Sequence, residues 1–154
     1  MQEYINVRSK DEYESAAILF NEYAQWLGID LEFQHFQEEL KSLEKMYSAP
    51  GGGIILCKNG NDFIGCAAIR KMDNNMAELK RMYVQQQHQH KGIGKGLLER
   101  SLKMAKDGGY SIIRLDTLST MLPAINLYRK YGFIEIAPYY YNPNPTAVYF
   151  EKQI

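Results

Sequence analysis

Gly92, Gly94 and Gly96 fall within the run Gln89-His90-Lys91-Gly92-Ile93-Gly94-Lys95-Gly96, between a strand-like and a helix-like segment. Glycines there let the chain turn tightly and bare backbone N–H groups at a helix N-terminus, where the dipole favours an anion. The arrangement suits a phosphate, and hence a nucleotide or a coenzyme with a pyrophosphate; Lys91 and Lys95 add positive charge. A P-loop would need Ser or Thr after Gly94-Lys95, where this chain has Gly96. A dinucleotide fingerprint would need its third glycine one place later and the loop directly after a strand, whereas the strand-like run here ends near Val84. Taken alone, the glycines are also compatible with a plain turn and helix start.

Both flanks narrow the choice. Ala77-Glu78-Leu79-Lys80-Arg81-Met82-Tyr83-Val84 precedes the loop, and Ala124-Ile125-Asn126-Leu127-Tyr128-Arg129-Lys130-Tyr131-Gly132-Phe133 follows it. Together with Gln89-x-x-Gly-x-Gly, these segments resemble motifs A and B of the GNAT superfamily, the acyl-CoA-dependent N-acyltransferases. The element order over about residues 3 to 152 looks like the whole of that domain. The resemblance implies an α/β fold with a central, mostly antiparallel, twisted mixed sheet flanked by about four helices. It also implies acetyl-CoA as co-substrate, without a metal. Backbone N–H groups around Gln89 to Gly96 are then expected to take the pyrophosphate, and main-chain groups of Met82, Tyr83 and Val84 to line the pantetheine arm. Where many members of the family carry Asn, three residues before the motif Ala, this chain has Met121. Asn126 is a partial substitute on a different helical face.

Acyl transfer from a thioester to an amine requires a held coenzyme, a polarised carbonyl, a deprotonated amine and a protonated leaving thiolate. Glu78 lies eleven residues before Gln89, an offset that matches the catalytic glutamate of GNAT histone acetyltransferases. A carboxylate inside a sheet is expected to have a raised pKa and can accept a proton directly or through water. The alternative is a strand-end Glu paired with Lys80 or Arg114. Tyr128 stands four residues before Gly132-Phe133, the position that by resemblance adjoins the coenzyme sulfur, so its phenol is the candidate acid. It also shares a helical face with Met121, Ala124 and Ile125, as a core tyrosine would. Arg70 and Arg81 either pair internally, with Glu78 or Asp116, or clamp a carboxylate on the acceptor. Of Lys80 and Arg81, only one can face a cleft unless a bulge intervenes. Tyr140, in Tyr139-Tyr140-Tyr141, either stacks on substrate or anchors its loop against the first helices.

Eighteen basic and eighteen acidic side chains among 154 residues cancel, which gives no field for nucleic acid or an anionic membrane. No apolar run nears membrane-span length, and Met1-Gln2-Glu3-Tyr4 lacks a signal-peptide pattern, so a soluble cytoplasmic protein is expected. Cys57 and Cys66 read as buried thiols, and His35, His88 and His90 make no zinc pattern. Neither cysteine sits in a nucleophile setting, which favours direct attack in a ternary complex. The expected function is acetylation of a primary amine on a small, amino-acid-like molecule. A protein N-terminus or lysine as acceptor, a non-catalytic CoA-binding sensor and a homodimeric assembly stay open.

One domain over residues 1–154 must position these groups. Residues 3 to 7 read as a strand, and Ser9-Lys10-Asp11-Glu12 as a capping box starting a helix to about Leu27. A second helix is expected from about Gln34 to Tyr47. Strands 54–58 and 63–70 flank the hairpin signal Asn59-Gly60-Asn61-Asp62, and the strand carrying Glu78 comes next. A helix follows from Ile93 to about Gly108, then a strand at 111–116, a helix at 120–131, and strands at 133–137 and 147–152.

Overall fold

The computed structural model describes residues 2–154. Strand β1 (Gln2–Asn6) leads into helix α1 (Lys10–Leu27) through the expected capping box. Glu12 N–H donates to Ser9 Oγ at 3.1 Å, and Ser9 N–H donates to Glu12 Oε1 at 3.0 Å. Gly28 closes the helix in the left-handed conformation, φ 71°. The expected second helix is instead three short pieces: a 3₁₀ turn (Glu32–Gln34), α2 (Phe36–Lys41) and α3 (Leu43–Met46). His35 at φ 57° and Ser42 at φ −129° interrupt it. Phe36, Glu39, Leu43 and Tyr47 are nevertheless all buried, so the helical period carries through the breaks and hides them from the sequence.

Strands β2 (Gly53–Asn59) and β3 (Asp62–Lys71) form the expected hairpin, closing at Asn59↔Asp62. Then come β4 (Met76–Val84), a 3₁₀ turn at Gln86–His88, α4 (Ile93–Asp107), β5 (Ile112–Leu118), α5 (Leu122–Lys130), β6 (Ile134–Ile136) and β7 (Ala147–Gln153). The sheet order is β1-β2-β3-β4-β5-β7-β6, and every neighbouring pair is antiparallel except β4–β5. The mixed, mostly antiparallel sheet is as expected, with five α-helices because the second one is divided. One face carries a core under α4 and α5 (Ile55, Leu79, Leu97, Phe150), and the other a core under α1 to α3 (Phe20, Tyr47, Leu56, Cys66). No helix among the described residues is long and apolar enough to cross a membrane.

Two irregularities of the sheet matter most. Strands β4 and β5 pair only at Met76↔Ile112, Ala77↔Ile113 and Glu78↔Arg114, and beyond these positions they part. Opposite β3, the register of β4 shifts between Lys80 and Tyr83, with Arg81 at φ 57°. This bulge breaks the alternation of side chains. Leu79 and Met82 pack on the α4 side, while Arg81 and Tyr83 reach the α1–α3 side.

Helix α4 starts at Gly92, φ 82°, and its first intrahelical bond runs from Gly96 N–H to the Gly92 carbonyl. The N–H of Gly96 is therefore already used, which removes this residue from the expected phosphate cradle. Its lack of a side chain serves packing instead: a Cβ there would lie 2.1 Å from the Tyr4 hydroxyl. The Tyr4 ring is held by the Arg100 guanidinium, 3.8 Å from its centroid. Gly96→Ala should force Tyr4 out of this seat and lower stability by about 1–2 kcal/mol, read by thermal unfolding. An unchanged melting temperature would mean that Tyr4 is not seated against α4 in solution.

Candidate active site

The gap between β4 and β5 opens into a cleft of about 380 Å³. Its walls are β4 from Leu79 to Val84, β5 from Leu115 to Leu118, the start of α4, the inner face of α5, and the end of α1 with the loop after it. Of the expected coenzyme residues, Met82, Tyr83, Val84, Gln89, His90, Ile93 and Gly94 line it. Gln89 Nε2 donates to the Val84 carbonyl at 3.1 Å, tying the loop back to the strand end. A Cβ on Gly94 would meet only Leu127, at 3.8 Å, so the space above this glycine is open. Because the helix ladder begins at Gly96, the N–H groups of Ile93, Gly94 and Lys95 are free of intrahelical bonds. Lys91, Gly92 and Lys95 are exposed around the same helix start. Asn126 does not join them. Helix α5 turns Ala124, Leu127 and Tyr128 to the cleft and leaves Asn126 exposed, so Asn126 does not stand in for an amide at Met121.

Glu78 departs from expectation. It is buried and paired: Arg70 Nε donates to its Oε1 at 2.7 Å, and the Tyr139 hydroxyl to its Oε2 at 2.7 Å. Burial raises its pKa, but Lys80, Arg70 and the Tyr139 hydrogen bond outweigh that and hold the carboxyl below its ordinary value. It also lies outside the cleft wall. The expectation of a raised pKa is thus overturned, and with it the physical case for Glu78 as the base. The arginines pair internally as well. Arg70 is engaged by Glu78, and Arg81 forms a fork with Glu39 of α2, Nε to Oε2 at 3.0 Å and Nη2 to Oε1 at 2.8 Å. The Arg81 guanidinium is thus spent as a fork on Glu39, and Arg70, held through its Nε, lies outside the cleft wall.

Two other charges remain in the cleft wall. Among the described residues the Lys80 ammonium, its side chain 9% exposed, has only Gln34 Oε1 at 3.5 Å and Glu78 Oε1 at 4.0 Å. Burial, and then Arg81, lower its pKa. Asp116 on β5 accepts from the Tyr140 hydroxyl at 2.6 Å, and burial raises its carboxyl. Tyr140 in turn accepts from Gln34 Nε2 at 2.7 Å and stacks on Phe33 with centroids 6.5 Å apart. Tyr140 is therefore a loop anchor tied to Asp116 and to the turn between α1 and α2, behind the cleft lining and not a stacking surface within it. Trp26 and Tyr83 pack 5.7 Å apart at the outer wall.

Tyr128 faces the cleft with its ring against Phe133 and Phe150, centroids 5.7 and 6.4 Å away. Among the described residues its hydroxyl has no hydrogen-bond partner, and burial keeps it protonated by pushing its pKa well up. Both readings of this tyrosine hold at once: core ring, cleft-facing hydroxyl. Cys57 and Cys66 are buried outside the cleft, and burial raises both thiols.

The sequence reading passed over Asp116 as a site residue, although a carboxylate between Leu115 and Leu118 in an apolar strand was a usable signal. Phe33 and Gln34 give no such signal, because they sit in an irregular turn just before and at the expected start of the second helix.

The chain was compared with known proteins. The model of the family described as Acetyltransferase (GNAT) family matches residues 19–133. An uncharacterized N-acetyltransferase of Schizosaccharomyces pombe is 32% identical, across 96% of this chain and 92% of its own. The crystal structure of an acetyltransferase from Streptococcus agalactiae has a similar fold, with a TM-score of 0.81 at 19% identity over 99% of this chain and 98% of that one. A GNAT family acetyltransferase from Elizabethkingia anophelis, solved with acetyl-CoA bound, reaches 0.70 at 21% identity over 99% and 98%.

Glu78→Gln should lower stability by about 1–3 kcal/mol at neutral pH, the lower part of the range for a broken buried pair because Arg70 is partly open to water. Since the folded state holds this carboxyl low, its contribution is present above the unfolded carboxylate range and is lost as pH falls through the folded value. Melting curves of the variant and wild type should therefore converge in acid; a deficit that stays constant with pH would contradict the pairing.

Proposed function

This chain belongs to the acetyltransferase (GNAT) family, and on that premise we propose that it moves an acetyl group from acetyl-CoA to the primary amine of a small molecule. One observation carries the reading: the parted β4 and β5 meet the unspent N–H groups of α4 in a single cleft. A pyrophosphate fits the bare helix start at Ile93 to Lys95, with Lys91 and Lys95 beside it. A pantetheine arm can run along the β4 edge from Leu79 to Val84, whose main chain has no strand partner on that side. Acetyl-CoA supplies an acyl carbonyl and a thiol leaving group. N–H groups around Met82 to Val84 are placed to polarise the carbonyl.

Tyr128 is the proposed acid. Its hydroxyl faces the cleft, is protonated at neutral pH, and can give its proton to sulfur and regain one from water. Transfer is direct in this reading, because both thiols are buried away from the cleft and protonated. A small acceptor is favoured because coenzyme and acceptor would share a cleft of about 380 Å³.

Calorimetric titration should show acetyl-CoA binding, with ATP and NAD as weaker ligands; equal or better binding of either would withdraw the reading. Gly94→Glu, which puts a side chain and negative charge into the open space, should weaken acetyl-CoA about 100-fold or more. Tyr128→Phe should lower kcat about 100-fold while the acetyl-CoA Kd stays unchanged. A larger loss of affinity than of rate would remove its role as acid.

A further inference from the structure

We propose that the acceptor is an α-amino acid or a close analogue, held with its amine at Asp116 and its acidic group at Lys80, and that Asp116 takes the proton from the amine. The inference rests on the acetyltransferase reading above. It starts from which charges in the cleft are already spent. Arg81 is matched by Glu39, and Arg70 by Glu78. Both oxygens of Glu78 are occupied, by Arg70 and Tyr139. Among the described residues Lys80 is therefore left with a contact to Gln34 at the outer limit of a hydrogen bond and an ion pair stretched to 4.0 Å with a Glu78 already held by Arg70, its side chain nearly closed to water. A buried ammonium in that state is a site for an anion.

Asp116 is its counterpart. One oxygen accepts from Tyr140, and the other has no partner among the described residues. The two charges lie in the same cleft, joined by a relay in which Lys80 donates to Gln34, Gln34 to Tyr140, and Tyr140 to Asp116. A ligand carrying one positive and one negative group satisfies both and brings no net charge into a poorly solvated space. Around them the wall is apolar and aromatic, with Trp26, Leu31 and Phe33, which suits an uncharged side chain.

The chemistry balances. The acceptor ammonium gives one proton to Asp116, which passes it to solvent. The freed nitrogen lone pair forms the amide bond as the carbon–sulfur bond breaks. The second nitrogen proton is lost through water as Tyr128 protonates the sulfur and is then restored. Burial shifts Asp116 upward and so toward usefulness as a base, which Glu78 is denied.

The test uses the purified full chain with acetyl-CoA and follows thiol release with L-phenylalanine and L-leucine, their amides, and phenethylamine. The free acids should exceed the amides and the amine by about tenfold or more in kcat/KM. Lys80→Gln should raise KM for the free acids about tenfold more than for the amides, and Lys80→Arg should keep the preference. Asp116→Asn should lower kcat about 100-fold for acids and amides alike, with the acetyl-CoA Kd intact. Equal turnover of acids and amides by the wild type overturns the acidic subsite, whatever the variants do, and leaves acetyl transfer standing. Acetyl-CoA binding with no turnover of any of these amines overturns the acceptor class. Full turnover by Asp116→Asn overturns its role as base. Absence of acetyl-CoA binding to the wild type would instead fail the underlying family reading of function.

Discussion

Main-chain donors and acceptors inside a protein must be paired, and between β4 and β5 this sheet stops pairing after three residues. Almost everything at the candidate site depends on that interruption. It removes the partner from one edge of β4, creates room beside it, and brings the start of α4 and the inner face of α5 to the same space. A continuous parallel ladder would have filled the cleft with strand. The bulge at Arg81 is the second half of the same device. By adding a residue on one side, it breaks the strand alternation, so that the adjacent Lys80 and Arg81 both border the cleft while the Arg81 guanidinium is spent on Glu39.

Charge is distributed in the same spirit. Four of the ionised groups near the sheet centre form two tight pairs, Arg81 with Glu39 and Arg70 with Glu78, and these fasten β4 to α2 and to β3. Their energetic role is structural: removing one member strands the other in a place of low polarity. Only after these four are subtracted do Lys80 and Asp116 stand out. A count of charged residues would not separate these paired arginines from the loosely held Lys80.

Much of the architecture was legible because local signals agreed with the global pattern. The capping box at Ser9, the Asn59 to Asp62 hairpin and the glycine-rich start of α4 are all short-range features whose geometry follows from residue type. The residues expected to hold the coenzyme lie on such features, so Met82 to Val84, Gln89, His90, Ile93 and Gly94 could be named from the sequence and do line one cleft. The charges around the cleft lie on pairings distant in sequence. Glu39 meets Arg81 across 42 residues and Tyr139 meets Glu78 across 61, and nothing local announces either. That is why Glu78 was assigned from its offset and not from its partners. Asn126 failed for a simpler reason: a helix shows only some of its faces to one cleft. Gly96 sits in the motif by spacing, but its backbone had already been used by the helix.

Trp26 has a practical consequence. It is the single tryptophan of the chain, 41% exposed, at the cleft wall against Tyr83 and Tyr23. Its indole emission therefore comes from one place in the molecule, and that place is the wall of the cleft beside Tyr83. The protein carries an intrinsic optical reporter whose wavelength and quenching follow the polarity of the cleft without any label. Filling of the cleft can be followed in solution and in real time on the unmodified chain.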